Sequence, residues 1–307
     1  MNNKYLPLSD VQRSYFYGRS KGTFLGGIST HFYIECMTSL DKDKLEKALN
    51  SVIKEQPSLR SYITSDGMQC CMDEAPEYYR IKETDISRLS YEEQEKKLLE
   101  IRKRCSNRIF DLDSWPMFEF NICITGRDKN VMIIDSDMMI MDGLSTEILI
   151  ESLYKYYEKD EPVREISIEA FEDHIALKEQ KKAKNYDNDK AFWKEIIEEL
   201  PSGPHFERTG GNEERTFDTR EISVPADKWG AKSRELKSER ILPSVYLTAA
   251  YAKLLSRWCG QSRITLNMTM SNRKGNAKAL LNAIGDFTEV MLVDFDFSMK
   301  KSLKEAA

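Results

Sequence analysis

The 307-residue chain carries 46 basic and 51 acidic side chains, and its formal net charge is −5. Charges of both signs are interspersed, which argues against a nucleic-acid partner. No apolar run is long enough for a membrane span, and residues 1–5 lack the apolar core of a signal peptide. Six cysteines without paired spacing and three histidines argue against a metal site. We therefore expect a cytoplasmic protein with no metal, no nucleic acid and no membrane partner.

The first half of the chain has the pattern of a mixed α/β domain. Its predicted elements are helix 8–19, strand 31–36, helix 41–54, strands 59–63 and 68–72, helix 91–108, strands 118–125 and 131–137, and helix 145–158. Ser9 or Asp10 is expected to cap the first helix, and Asp41 the second. The pair Asp66–Gly67 predicts a hairpin turn, and residues 126–130 predict another.

Composition changes near residues 159–162, which predicts two domains, 1–160 and 161–307. The predicted elements beyond that point are helices 168–184 and 189–200, a loop over 201–212, a strand near 219–224, a helix from 226, helix 243–258, and strands 264–270 and 290–297. The regular βαβα alternation of a doubly wound sheet is missing, as are the glycine-rich phosphate loops. The sequence therefore disfavours nucleotide chemistry and predicts an α/β fold of the α+β type.

Two carboxylates stand five residues apart where an apolar strand ends. The strand 131–134 leads to Asp137, and Asp142 comes just before an apolar-periodic helix that contains Ser145. A carboxylate at the end of a buried strand is costly to desolvate, so it is usually paired, hydrogen-bonded or catalytic. Asp137 and Asp142 are therefore candidate catalytic residues, and Ser145, three residues after Asp142, is a third candidate.

Each of these residues has a structural alternative. An aspartate that ends a strand also occurs in solvated turns, which is the alternative for Asp137. Asp142 precedes a helix, and the favoured interpretation is an N-cap or a buried ion pair with Arg60 or Arg273. Ser145 either caps the same helix or donates a hydrogen bond to a substrate.

Distinct motifs occur along the whole chain, at residues 7–19, 56–60 with 66–69, 137–145, 191–193, 200–201, 244–258, 266–273 and 285–288. They resemble the sequence blocks PLxxxQxxYxxGR, RHxxLR with DGxQ, DxxxxDxxS and the later blocks of the heterocyclization domain of nonribosomal peptide synthetases. That domain is the condensation-domain variant that makes thiazoline and oxazoline rings. Gln56 departs from the pattern, because the family has a histidine there. The blocks occur in the family's order, which makes the resemblance specific.

The resemblance implies a chloramphenicol-acetyltransferase-like fold of two lobes in a V-shaped pseudo-dimer, with the active site in a tunnel between them. It also implies that the second lobe is truncated at its C-terminus, because family members continue past the block at 285–288 with residues implicated in cyclodehydration. Asn267, Asn272 and Thr288 lie in blocks that approach the tunnel, so they are the expected substrate-binding residues. Arg60 and Arg273 are the expected structural supports.

The implied reaction joins a carrier-tethered acyl thioester to a carrier-bound Cys, Ser or Thr and then closes the ring with loss of water. A carboxylate in a partly dry tunnel, with its pKa raised by desolvation, is suited to shuttle the protons. The chain itself is expected to bind no cofactor, since the phosphopantetheine arm belongs to upstream and downstream carrier proteins. An adjacent adenylation domain is a further expected partner. Two alternatives remain open: a condensation-only acyltransferase, and a non-catalytic carrier-protein-binding remnant.

Overall fold

The computed structural model describes residues 3–19, 27–126, 128–206, 222–273, 280–298 and 303–306. The chain forms two compact units, Met1–Lys182 with Ser271–Glu289, and Ala183–Met270 with Val290–Ala307. This division falls later than the predicted boundary at residue 160. The reason is that Ile168 and Phe171, at the start of a long helix, are buried in a core of the first unit. The two predicted domains stay a prediction.

Three sheets contain the described strands. The strands are β1 (Lys4–Pro7), β2 (His31–Thr38), β3 (Ser61–Ile63), β4 (Met68–Cys71), β5 (Lys82–Asp85), β6 (Phe118–Ile124), β7 (Asn130–Asp137), β8 (Arg263–Ser271) and β9 (Thr288–Asp296). Their orders are β1-β4-β3, β2-β7-β6-β5 and β8-β9. All pairings of the first unit are antiparallel except β5 with β6. The predicted pairing of the strands that became β6 and β7 is confirmed.

The described helices are α1 (Asp10–Gly18), α2 (Lys42–Glu55), α3 (Tyr91–Ser106), α4 (Gly143–Tyr154), α5 (Ile168–Ile196), α6 (Ala226–Ser238), α7 (Pro243–Cys259) and α8 (Leu303–Ala306). Ser9, not Asp10, caps α1, in a reciprocal capping box with Gln12. Asp41 caps α2 as predicted. The prediction of separate helices 168–184 and 189–200 is wrong, since α5 is continuous: residues 185–188 contain no Gly or Pro to interrupt it. The predicted strand near 219–224 lies largely outside the described residues.

The four-stranded sheet positions the predicted catalytic residues. Side chains alternate between the two faces of β7. Met132 and Ile134 pack in the core that includes α2 and α4, whereas Val131 and Ile133 pack in the core formed with α3. Asp137 therefore shares the α3 face of β7, and the chain turns directly after it into α4.

A smaller core holds the segment that precedes β9. Leu6 of β1, Phe171 of α5 and Phe287 are buried together in it. The rings of Phe171 and Phe287 stack at 5.6 Å between centroids. A Cβ at Gly285 would lie 2.9 Å from both rings, so only glycine allows the backbone to approach them this closely.

The second unit has a small described core of Ala252, Leu255 and Ile264. Several large apolar side chains of α7 are exposed, including Leu247, Tyr251 and Trp258. None of the described helices combines the length and the apolar composition that crossing a bilayer requires.

Candidate active site

Asp137, the last residue of β7, is fully buried at 0% exposure. Arg19, at the end of α1, donates from Nη2 to both carboxylate oxygens at 2.8 Å. Ser29 Oγ donates to Oδ2 at 2.7 Å, and the Met139 amide donates to Oδ1 at 2.9 Å. These contacts exclude a solvated turn. The carboxylate joins the end of α1 to the turn between β7 and α4.

Asp142 is the N-cap of α4 and is also buried. Its Oδ1 accepts from the Ser145 amide at 2.8 Å, from Ser145 Oγ at 2.7 Å and from Arg273 Nη2 at 2.7 Å. Its Oδ2 lies 3.3 Å from the donors Ser271 Oγ and the Phe287 amide. Asp142 therefore ties the start of α4 to both segments that flank residues 274–284.

Arg273 and Ser145 complete this buried arrangement, which we call the clasp: Asp142, Ser145, Arg273 and Gly285. Arg273 Nη1 donates to the Ala283 carbonyl at 2.6 Å, and its guanidinium lies 4.2 Å from the centroid of the Phe287 ring. Ser145 Oγ accepts from Arg273 Nη2 and from the Gly285 amide, each at 3.0 Å. The Ser145 hydroxyl and both terminal nitrogens of Arg273 therefore bond within the protein, whereas the buried Arg273 Nε has no aligned acceptor among the described residues.

Of the two predicted partners, the structure pairs Arg273 with Asp142 and places Arg60 elsewhere. Arg60 is buried and donates to the carbonyls of Met72, Ile53 and Lys54 at 2.6–3.1 Å. It therefore holds the last turn of α2 against the end of β4, a supporting position that does not involve Asp142.

Of the three predicted substrate-binding residues, Asn272 and Thr288 belong to the first unit and Asn267 to the second. Thr288 is buried in the first unit, where its amide donates to Asp286 Oδ1 at 3.1 Å. The Asn272 amide donates to the Phe287 carbonyl at 2.7 Å, and its side chain bonds to Glu289. Asn267 is exposed in the second unit, on a surface groove with Tyr251. Their substrate contacts stay a prediction.

A cavity of about 320 Å³ lies within the first unit. Its wall is apolar at Leu6, Leu8, Phe171, Ile175 and Phe287, and polar at Ser9, Gln12, Gln69, His174 and Asp286. Asp137 and Asp142 are not among its lining residues. Such a mixed wall, apolar with a few convergent polar groups, is typical of small-molecule sites.

Asp286, which lines this cavity, was not among the site residues predicted from the sequence. Burial raises the pKa of the Asp286 carboxyl to about 6, and the negative charge of Asp142 acts in the same direction. Hydrogen bonds from Thr288 and Ser9 oppose this rise in pKa without cancelling it. A carboxyl with a pKa near neutrality can exchange protons during a reaction. An acidic residue between Gly285 and Phe287 was the signal available in the sequence.

Within the residues that the structure describes, no group of three or more His, Cys, Asp or Glu side chains is arranged to hold a metal ion.

The fold and these residues define a condensation-type domain with the chloramphenicol-acetyltransferase-like fold. Residues 2–307 match the family model described as "Condensation domain", and the chain belongs to this family. The predicted family and fold class are thereby confirmed.

The chain is similar to known members of this family. It is 27% identical to bacitracin synthase 1 of Bacillus licheniformis over 304 residues, covering 95% of this chain and 6% of that protein. It is 26% identical to phenyloxazoline synthase MbtB of Mycobacterium bovis over 297 residues, covering 95% of this chain and 21% of that protein. The chain thus spans less than a quarter of either relative.

Among solved structures, the cyclization-docking bidomain of the nonribosomal peptide synthetase EpoB from Sorangium cellulosum is similar with a TM-score of 0.85 and 26% identity. The match covers 98% of this chain and 61% of the EpoB chain.

Proposed function

We propose that the chain is a heterocyclization domain of a nonribosomal peptide synthetase. The observation that carries this proposal is the sequence Asp137-x4-Asp142-x2-Ser145, which folds as one buried turn between β7 and α4. The likeness to a phenyloxazoline synthase and to a cyclization domain supports it. A condensation domain with this turn is therefore assigned to ring formation.

The proposed reaction has two stages. The amine of a carrier-bound Cys, Ser or Thr attacks an acyl thioester, and the thiol of the donor's arm leaves. The side-chain thiol or hydroxyl then adds to the new amide carbonyl, and the carbonyl oxygen departs as water. Tethering makes positioning the main requirement of the first stage. The second stage requires proton transfer to the departing oxygen, and thus an acid–base group.

In this proposal Asp137, Asp142 and Ser145 act as positioning residues. Their hydrogen bonds are made to Arg19, Ser29, Arg273 and the backbone, which fixes the turn. Fixing the turn keeps the end of β7 and the start of α4 in one geometry, which is the condition for aligned reactants.

The proposed partners are two carrier proteins and an adjacent adenylation domain. The phosphopantetheine arm is supplied by the carriers, so the chain itself needs no bound cofactor. The donor carrier brings the acyl thioester, and the acceptor carrier brings Cys, Ser or Thr.

Mass spectrometry of the carrier-bound product tests the proposal. The full chain is mixed with an acyl-loaded donor carrier and a cysteinyl- or threonyl-loaded acceptor carrier. We expect the acceptor to gain the acyl group and then to lose one water as the ring closes. Amide without that loss would make the chain a condensation-only acyltransferase, and carrier binding without any product would make it a docking module.

A further inference from the structure

Asp286 lies in the wall of the cavity of the first unit, and no ion pair joins it to a cationic side chain among the described residues. The Arg13 guanidinium on its rim pairs with Asp10, and Lys178 pairs with Glu289 at 2.9 Å. The buried Arg273 pairs with Asp142. The described cations of α1, α5 and the neighbouring segments all form their ion pairs with carboxylates other than Asp286. The cavity therefore presents a negative group that a cationic ligand would neutralise.

The position of Asp286 is fixed by its neighbours. The Thr288 amide donates to Oδ1 at 3.1 Å, and Ser9 Oγ lies 3.4 Å from Oδ2. Phe287, beside it, is packed against Phe171 and has His174 edge-on at 5.4 Å between ring centroids. A carboxylate held by packing and hydrogen bonds is preorganised to bind a ligand.

The rest of the wall indicates a small amphipathic ligand. Leu8, Ile175 and Phe287 form an apolar wall, whereas Gln12 and Gln69 offer amide groups. The Gln12 side chain already donates to Gln69 Oε1 at 3.1 Å and to the Met139 carbonyl at 2.7 Å. The polar end of the cavity is thus connected by hydrogen bonds to the turn that follows Asp137.

We propose that this cavity receives the aminoacyl head of the acceptor substrate, and that Asp286 binds its α-ammonium group and takes a proton from it. The identity of the ligand rests on the proposed function. The carboxylate accepts one proton, and the neutral amine attacks the thioester carbon. The C–N bond forms as the C–S bond breaks, and the amine's second proton goes to the departing sulfur. Asp286 then releases its proton to water.

Other charged groups surround Asp286, and the test must separate them from it. They are Asp10, Arg13 and Tyr15 on α1, His174, Lys178 and Glu179 on α5, and Asp142 and Arg273 in the clasp. Burial and Lys178 lower the pKa of His174. Protonation of His174 would also repel an ammonium group, so pH dependence alone does not identify Asp286.

Binding of two small probes by the full chain tests the inference. The probes are L-threonine methyl ester, which carries the ammonium, and N-acetyl-L-threonine methyl ester, which does not. NMR shifts of the lining methyl groups of Leu8 and Ile175 report binding at about pH 7. We expect the ammonium ester to bind about tenfold more tightly to the wild type, as for a charge-assisted hydrogen bond. In Asp286→Asn, the two probes should bind equally.

Glu172→Gln is the matched control, because it removes one negative charge from α5 at a side chain that pairs with Lys4 outside the cavity. This variant should keep the preference for the ammonium ester. Equal binding of the two probes by the wild type, or an unchanged preference in Asp286→Asn, would overturn the inference.

Two further comparisons keep the inference separate from the proposed function. If Asp286→Asn fails to fold, His174→Gln decides instead: without the His174 imidazole, the preference for the ammonium ester should still weaken as pH falls through about 6, where Asp286 takes up a proton. A constant preference would overturn the inference. Cyclized product formed equally by wild type and Asp286→Asn contradicts only the role of Asp286. An Asp286-dependent preference without cyclized product contradicts only heterocyclization.

Discussion

Asp142 illustrates how one side chain can satisfy a helix cap and an ion pair together. Its Oδ1 accepts from the Ser145 amide, which would otherwise lack a partner in the first turn of α4, and from Arg273. The pair is almost completely buried, with 5% exposure for Arg273 and 4% for Asp142. Breaking such a pair costs more than making it contributes, because one charge is left desolvated.

We therefore expect Asp142→Asn to lower the free energy of unfolding by about 3–5 kcal/mol. The uncompensated charge of Arg273 is the physical reason, and urea unfolding measures the change. In the double variant Asp142→Asn with Arg273→Met, the free energy of unfolding should fall by less than the sum of the decreases in the two single variants. The exposed pair of Lys97 and Glu100 supplies the control, since Glu100→Gln should leave the free energy of unfolding nearly unchanged. Normal stability with lost activity would instead place Asp142 in the chemistry.

Gly285, a member of the clasp, allows a test of how tightly the neighbouring aromatic rings are packed. Alanine there would bring Cβ within 2.9 Å of the rings of Phe171 and Phe287, and both rings are confined by a buried core. Overpacking of this kind costs about 1–3 kcal/mol. We expect Gly285→Ala to lower the melting temperature, whereas Gly143→Ala, with open space around its Cβ in α4, should not. Equal melting temperatures for both variants would show that the rings move aside freely.

The sequence predicted some of these residues and not others. Asp142 was expected either to cap a helix or to pair with one of two arginines, and the cap was predictable because the pattern of a helix start is local. The pairing of Asp137 with Arg19 was not predicted, since it joins residues 118 positions apart. Asp286 was missed because its burial depends on α1, α5 and the clasp together.

At the scale of elements, β7 carries two carboxylates on one face with different surroundings. Asp137 accepts hydrogen bonds on both oxygens, but neither oxygen of Asp135 has an aligned donor among the described residues. Arg108 Nε lies 2.9 Å from Asp135 Oδ2, and His31 Nε2 lies 3.9 Å from Oδ1. Burial nevertheless dominates and raises the pKa of Asp135 to about 6.

This raised pKa predicts a stability difference that depends on pH. An unfolded aspartate has a pKa of about 3.9, so the folded state loses stability as pH rises from about 4 to about 6. Asp135→Asn removes this loss, while Arg108 keeps its pair with Glu119 at 2.7 Å. We expect the free energy of unfolding of the variant to exceed that of the wild type by on the order of 1–2 kcal/mol at about pH 7.5. At about pH 4 the difference should be much smaller.

Urea unfolding at these two pH values measures the difference between the variant and the wild type. Asp43→Asn, an exposed carboxylate on α2, is the control and should show no such change. A stability difference that is the same at both pH values would contradict the raised pKa of Asp135.

Most elements were predictable because their signals are local. The cap of α2 by Asp41 and the alternation along β7 each depend on a few consecutive residues. The strands β1 and β5 were not predicted, because each has only 4 residues and neither alternates clearly between polar and apolar. Their place in a sheet is decided by the partners β4 and β6, which lie far along the chain.

At the scale of the whole molecule, the family and the fold class followed from motifs spread over the chain, whereas the division into units did not. A sequence boundary near residue 160 reflects a change in composition. The structural division depends instead on residues 271–289 returning to the first unit, where Asp142 binds Arg273 and Phe287 packs on Phe171. Such a return is a tertiary contact with no local signature.

The two units also differ in the size of their described cores, which predicts different local stabilities. The first unit buries strands β2, β7 and β6 between clusters that include Leu49, Phe120 and Ile133. The described core of the second unit comprises Ala252, Leu255 and Ile264, with Leu247 and Trp258 of α7 exposed. Local opening is easiest where few apolar side chains are buried.

We therefore expect amide hydrogen exchange in the full chain to be slower in β7 than in β8 and the exposed face of α7, by at least about tenfold in the rate of the slowest amides. Hydrogen–deuterium exchange with mass spectrometry of peptic peptides measures these rates. The helix α3 supplies an internal comparison, because its buried face packs on β7 through Leu98 and Ile101. Equal protection in β7 and β8 would mean that the second unit is stabilised as strongly as the first, in spite of its smaller described core.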